Sequence, residues 1–137
     1  MNQINESSLS RIHDHTQKHD YGTITAFRYA KDCGSGEVYK KSENKQRNKV
    51  LLGKLRSKGY SVTSIKGAYI ENFGTKNAKE VKEDSFLVVD IKDSGKLKKD
   101  LRSLGKEFEQ DSILFGSAGE KPVLIGTNAC PDSYPGL

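Results

Sequence analysis

The chain has 137 residues, a net charge of +5, and a charged fraction of 30% against a hydrophobic fraction of 34%. That is enough for one domain with a modest core and too little apolar material for two. No apolar run reaches the roughly 18 residues of a membrane span, and the opening MNQINESSLSRIHDHTQ lacks the apolar stretch of a signal peptide.

Residues 6–19 predict a short helix, with Ser7 or Ser8 near its start, Leu9 and Ile12 as its apolar positions and Gly22 ending it. TITAFRYA (23–30) has strand composition, and residues 31–41, with CGSG inside, read as a loop. SENKQRNKVLLGKLRSKG (42–59) predicts a helix that Ser42 caps and Gly59 stops, with basic residues in its last turn. YSVTSIKGAYIEN (60–72) reads as a strand bent at Gly67, and FGTKNAKEVKED (73–84) as a polar turn region. SFLVVDI (85–91) is a continuous apolar run, as in a central strand buried on both faces. Asp93 or Ser94 opens a second helix reaching Gln110, and SILFG (112–116) and PVLIGT (122–127) form a closing hairpin around SAGEK. The tail NACPDSYPGL has no periodicity and stops abruptly, as a shortened chain would. Cys33 and Cys130 are expected to be free thiols in a reducing cytosol.

The order is β-α-β-β-α-β with one extra C-terminal strand and a short N-terminal helix. It predicts an α+β, ferredoxin-like split βαβ fold, a mainly antiparallel sheet with its helices on one face. The expected division is an N-terminal helical extension (1–22), a single α+β domain (23–128) and an irregular tail (129–137).

The first long helix breaks its own pattern. Positions 44, 48, 51 and 55 share one face, yet the stripe reads Asn44, Asn48, Leu51, Leu55, where the second helix has Leu97, Leu101, Leu104 and Phe108. An unpaired buried amide costs about 1–3 kcal/mol, so these two either pin the fold or face a ligand. Chain order brings the start of the first helix (Glu43, Asn44, Arg47, Asn48) to the same sheet edge as the end of the second (Glu109, Gln110, Asp111, Ser112). The loop after the second strand, with Glu71, Asn72, Lys76 and Asn77, is expected there too. Two readings follow: an internal clamp, or a ligand or partner site in which Arg47 holds an anionic group and the amides orient it.

Lys45, Lys49, Lys54, Lys98, Lys99 and Arg102 form a basic helical face, read as a solvated surface or as a phosphate-binding one. Aromatics interleaved with these cations are lacking, which weakens the second. His13, His15 and His19 fall within seven residues beside Asp14 and Asp20, but no further ligand supports a metal and none is expected. No GxxxxGK[ST], no GxGxxG and no nucleophilic triad spacing occurs, so no catalytic residue and no cofactor is predicted.

Glu43-Asn44-x-x-Arg47-Asn48, LRSKGY (55–60), SFLVV (85–89) and FEQDSILFG (108–116) together resemble a family of small bacterial and bacteriophage proteins of unknown function. The pattern ENxxRN…LxxxGY…SFLV…FxQDSI covers about residues 23–127, and HDxGxITAFR (19–28) and YIENFG (69–74) are most similar to phage-type members. The resemblance implies a small α+β domain and carries no activity. The leading expectation is therefore a cytosolic accessory protein, not an enzyme, that binds a host macromolecule, with a host protein as partner, no membrane and an open oligomeric state. One alternative is nucleic-acid binding through the basic face. The other is an enzyme or binder of a nucleotide-like anionic small molecule at Asn44, Arg47, Asn48, Gln110 and Asp111, with Asp111 or Glu43 as acid or base.

Overall fold

The computed structural model describes residues 6–28, 39–71 and 79–127. Its elements are α1 (Glu6–Lys18), β1 (Tyr21–Ile24), α2 (Lys41–Ser57), β2 (Ser61–Glu71), β3 (Lys79–Val89), α3 (Leu97–Glu107), β4 (Ser112–Gly116) and β5 (Val123–Gly126). The sheet order is β2-β3-β1-β4-β5, and every neighbouring pair is antiparallel. The crossovers β1-α2-β2 and β3-α3-β4 each skip a strand, and each leaves room for one strand of the other. This interleaving is the ferredoxin-like arrangement that the element order predicts, with β5 added at the β4 edge.

Alternation along the strands sorts the two faces of the sheet. Ile24, Phe86, Val88, Ile113 and Phe115 join Leu51, Leu55, Leu97, Leu101 and Leu104 in one buried cluster, so α2 and α3 cover one face. On the other face α1 brings Ile12 and His15 over Ser61, Thr63, Leu87 and Val89. Gly22 lets α3 and β4 close on β1. A Cβ there would lie 2.4 Å from both the Leu114 carbonyl oxygen and the Leu101 side chain.

Several boundaries differ from expectation, each for a local reason. Gly22 does not end α1 but pairs with Val88 and Phe115 inside β1. The expected turn 73–84 is strand from Lys79 onward, because backbone pairing with β2 continues out to Glu71↔Lys79 and needs no apolar side chains. Ser42 lies inside α2, whose N-cap is Lys40, with the Glu43 carboxylate accepting the Lys40 backbone N–H at 2.9 Å. Ser94 does not cap α3. The carboxylate of the buried Asp90 accepts from the Ser94 N–H and hydroxyl and from the Gly95 N–H, which delays the helix to Leu97. Glu71 ends β2, while Cys33, Asn72, Lys76, Asn77, Cys130 and the tail 129–137 lie outside the described residues.

Candidate functional site

β1 ends at Ile24, and among the described residues the backbone of 25–28 continues without ladder pairing to a strand. Its polar groups are buried, so they need partners from elsewhere. Asn48 Oδ1 accepts the Ala26 N–H at 2.7 Å, and Asn44 Oδ1 accepts the Arg28 N–H at 2.8 Å. Four residues advance about 6 Å along a helix, close to the roughly 6.6 Å that two residues span in extended chain. Amides four apart therefore meet backbone groups two apart. Their nitrogens are engaged as well: Asn44 Nδ2 donates to the Tyr39 carbonyl at 3.1 Å, and Asn48 Nδ2 to the Asp84 carbonyl at 2.9 Å.

Arg47 closes the same seam. Its Nε donates to the Ala26 carbonyl at 2.9 Å and its Nη2 to the Phe108 carbonyl at 2.5 Å, while Nη1 lies 3.5 Å from Glu109 Oε1. The guanidinium stacks 4.1 Å over the Tyr39 ring and 5.6 Å from that of Phe108. Tyr39 Oη donates to Glu109 Oε1 at 2.8 Å. Glu109 holds a left-handed φ of 58° at the end of α3, and its carbonyl accepts from the Arg28 guanidinium. Gln110 Nε2 donates to the carbonyls of Phe27 and Phe108, both at 3.1 Å. The Thr127 hydroxyl donates to the Gln110 carbonyl, and the Thr127 N–H to that of Asp111 at 2.8 Å.

Asn44, Arg47, Asn48, Gln110 and Asp111 thus meet where chain order put them, whereas Glu43 stays exposed and caps α2. Among the described residues no buried side-chain N or O lacks a partner. Arg47, expected to hold an external anion, holds two carbonyls and Glu109 instead. The amides and Arg47 clamp the fold from inside and line no opening themselves.

The opening lies on the face away from α2 and α3. A groove of about 280 Å³ runs over β1, β3 and β4, lined by Thr23, Thr25, Ser85, Asp111, Ser112 and Leu114, with Gln110 at its end. Asp111 is the one ionisable residue among those lining it, and its Oδ1 lies 3.9 Å from Nη1 of the buried Arg28. Sequence reasoning passed over Thr23, Thr25 and Ser85. The available signal was the period-two placement of hydroxyls opposite Gly22, Ile24 and Ala26.

The other clusters sit apart. Lys45, Lys49, Lys98, Lys99 and Arg102 are exposed, and Lys54 pairs with Glu107 at 3.0 Å. His19 Nδ1 meets Asp93 Oδ1 at 2.7 Å, and the His15 and His19 rings are 6.1 Å apart. The Tyr60 hydroxyl donates to Asp100 Oδ2 at 2.5 Å, and burial, reinforced by that bond, pushes the phenol pKa well above its usual value.

A model of the S-adenosylmethionine lyase family matches residues 13–134. No curated protein matches the chain. Among solved structures, a phage SAM lyase in complex with S-methyl-5'-thioadenosine is 16% identical, over 79% of this chain and 88% of that one, at a TM-score of 0.41. A phage SAM lyase in the apo state is 13% identical, over 81% and 90%, at 0.43. Neither likeness transfers residue roles.

The family match corrects three expectations. The pattern ENxxRN…FxQDSI belongs to a named enzyme family, not to one of unknown function. A non-catalytic module for a host macromolecule is replaced by an enzyme family named for a small molecule. A host protein or nucleic acid as the partner falls with it. The basic face that suggested nucleic acid is the exposed side of α2 and α3, and the polar cluster that suggested a partner spends its donors internally. The match spans residues 13–134 of 137, and the chain belongs to the S-adenosylmethionine lyase family.

Proposed function

We propose that this protein cleaves S-adenosylmethionine without water, breaking the bond between the sulfonium sulfur and the γ-carbon of the methionine-derived chain. The observation that carries this reading is the family match over residues 13–134. It is the nucleotide-like small-molecule alternative of the sequence reading, with a more definite substrate. Of the three carbons on sulfur, the γ-carbon alone belongs to a chain that ends in a carboxylate. That carboxylate can close a five-membered ring on it: an oxygen bonds to Cγ, the C–S electron pair goes to sulfur, and a neutral thioether leaves. Loss of a β-proton to a base would break the same bond. Either way S-methyl-5'-thioadenosine is released.

In ring closure an anion and a sulfonium of one molecule neutralise each other, so a poorly hydrated site that folds the substrate favours the reaction. The groove over β1, β3 and β4 supplies contacts for folding the substrate, with hydroxyls from Thr23, Thr25, Ser85 and Ser112 and apolar surface from Leu114. Gln110 and Asp111 contribute at its end. Asn44, Arg47 and Asn48 serve it indirectly, by holding segments 25–28 and 108–111 in place. Incubation with S-adenosylmethionine in ¹⁸O-water, followed by mass spectrometry, tests the proposal. Release of S-methyl-5'-thioadenosine, with no solvent oxygen on the γ-carbon of the other product, is expected. Absence of cleavage, or ¹⁸O on the γ-carbon, overturns it.

A further inference from the structure

We infer that Asp111 is the specificity-determining residue of the groove, whose carboxylate meets the sulfonium and thereby selects a charged sulfur over a thioether. The inference rests on the cleavage reading and deepens it. Its basis is the make-up of the groove: among the lining residues, hydroxyl, amide and aliphatic groups surround a single carboxylate. S-adenosylmethionine and the demethylated thioether S-adenosylhomocysteine share the adenosine, the ammonium and the carboxylate. They differ by one methyl and one positive charge at sulfur. Neutral hydroxyls respond weakly to that charge, whereas a carboxylate responds strongly.

The setting of Asp111 fits this task. Its side chain retains 15% of its exposure and lies behind the surface, while the 7%-exposed Arg28 stands 3.9 Å from one carboxylate oxygen. Arg28 is itself tied to the Glu109 carbonyl, and the Asp111 backbone carbonyl is tied to the Thr127 N–H. Asp111 thus lines the groove with a buried cation 3.9 Å from its carboxylate.

The guanidinium has a second effect, on rate. The sulfonium charge disappears as the C–S bond breaks, so a full-strength carboxylate beside it would stabilise the bound substrate more than the transition state. Arg28 draws part of that charge and limits the penalty. Selectivity is obtained mainly in binding, and removal of the carboxylate should show in KM more than in kcat.

The test compares wild type with Asp111→Asn, nearly the same shape, and Asp111→Ser, which removes the charge and frees space. Affinities for S-adenosylmethionine and S-adenosylhomocysteine are measured by calorimetry, with thermal melting as the check on folding. Wild-type cleavage is confirmed first, so that failure of the functional reading is seen separately. The expected result is a wild-type preference for the sulfonium of at least about tenfold, equivalent to roughly 1.4 kcal/mol, that collapses toward unity in both variants. KM should rise more than kcat falls. Equal weakening of both ligands would mean that Asp111 holds the shared ammonium, and unchanged affinities would remove it from the site. Either outcome overturns the inference. If one variant melts at the assay temperature, the other carries the comparison. If both melt, the wild-type ratio decides, and a ratio near unity overturns it.

Discussion

Asn48 Oδ1 accepts the backbone N–H of Ala26 at 2.7 Å, across the gap between α2 and the segment that follows β1. One turn earlier Asn44 does the same for Arg28 at 2.8 Å. A pair of helical side chains thus acts as a short piece of strand edge, supplying acceptors to the backbone and donors to the carbonyls of Tyr39 and Asp84.

That arrangement predicts the outcome of repairing the leucine stripe. Asn44→Leu or Asn48→Leu supplies the apolar residue that α3 uses at this rhythm, but strands a buried N–H on Arg28 or Ala26. Each variant should lose about 1–3 kcal/mol, read as a lower urea midpoint at unchanged m-value. A gain in stability would mean that the amides are not a clamp.

Arg47→Lys keeps the charge but not the fork, and one ammonium cannot reach two carbonyls and Glu109 while stacking on Tyr39. The expected cost is about 1–3 kcal/mol by thermal melting, with faster amide exchange in 25–28 and 108–110. Cleavage of S-adenosylmethionine should fall with it, since both segments border the groove. A variant as stable and as protected as wild type would refute the clamp role.

Tyr60 makes alkaline stability predictable. Its phenol has a folded-state pKa raised from 10.0 by burial and by the bond to Asp100. The unfolded chain therefore releases this proton first. The associated stability is complete below pH 10 and is lost as pH rises above it. Tyr60→Phe should cost about 0.5–1.5 kcal/mol at pH 7, and its stability should decline less steeply between pH 10 and 11.5. Parallel pH profiles of the two proteins would contradict this account.

Gly22→Ala should be among the most damaging small substitutions. The added carbon would lie 2.4 Å from the carbonyl oxygen of Leu114 in the paired strand, an atom that cannot move without opening β1 from β4. A loss of about 1–3 kcal/mol, seen as a lower Tm, is expected. A Tm within error of wild type would show that the sheet absorbs the methyl.

Much of the fold was legible in the chain because it depends on local periodicity. The stripe Leu97, Leu101, Leu104 and the run SFLVV are written in side-chain hydrophobicity, and chain order then orients the elements and brings Asn44 toward Gln110. Boundaries set by backbone pairing were not legible. Lys79–Asp84 carries a polar sequence and is strand only because β2 lies beside it. Asp90 gathers the Ser94 and Gly95 N–H groups into a turn, so α3 starts at Leu97 and not at Ser94.

The candidate site divides the same way. The sequence by itself marked the two amides as exceptions, since two polar residues interrupt a stripe that is otherwise leucine, and it named Gln110 and Asp111 as their neighbours. Whether those amides face inward was decided by tertiary structure, because the acceptor capacity of an amide is filled by whichever donor the fold brings within about 3 Å. The donors here are N–H groups of residues 26 and 28, some twenty positions away in the chain. The groove beside Asp111 is likewise a tertiary fact, since its hydroxyls come from three strands that meet only when the sheet forms.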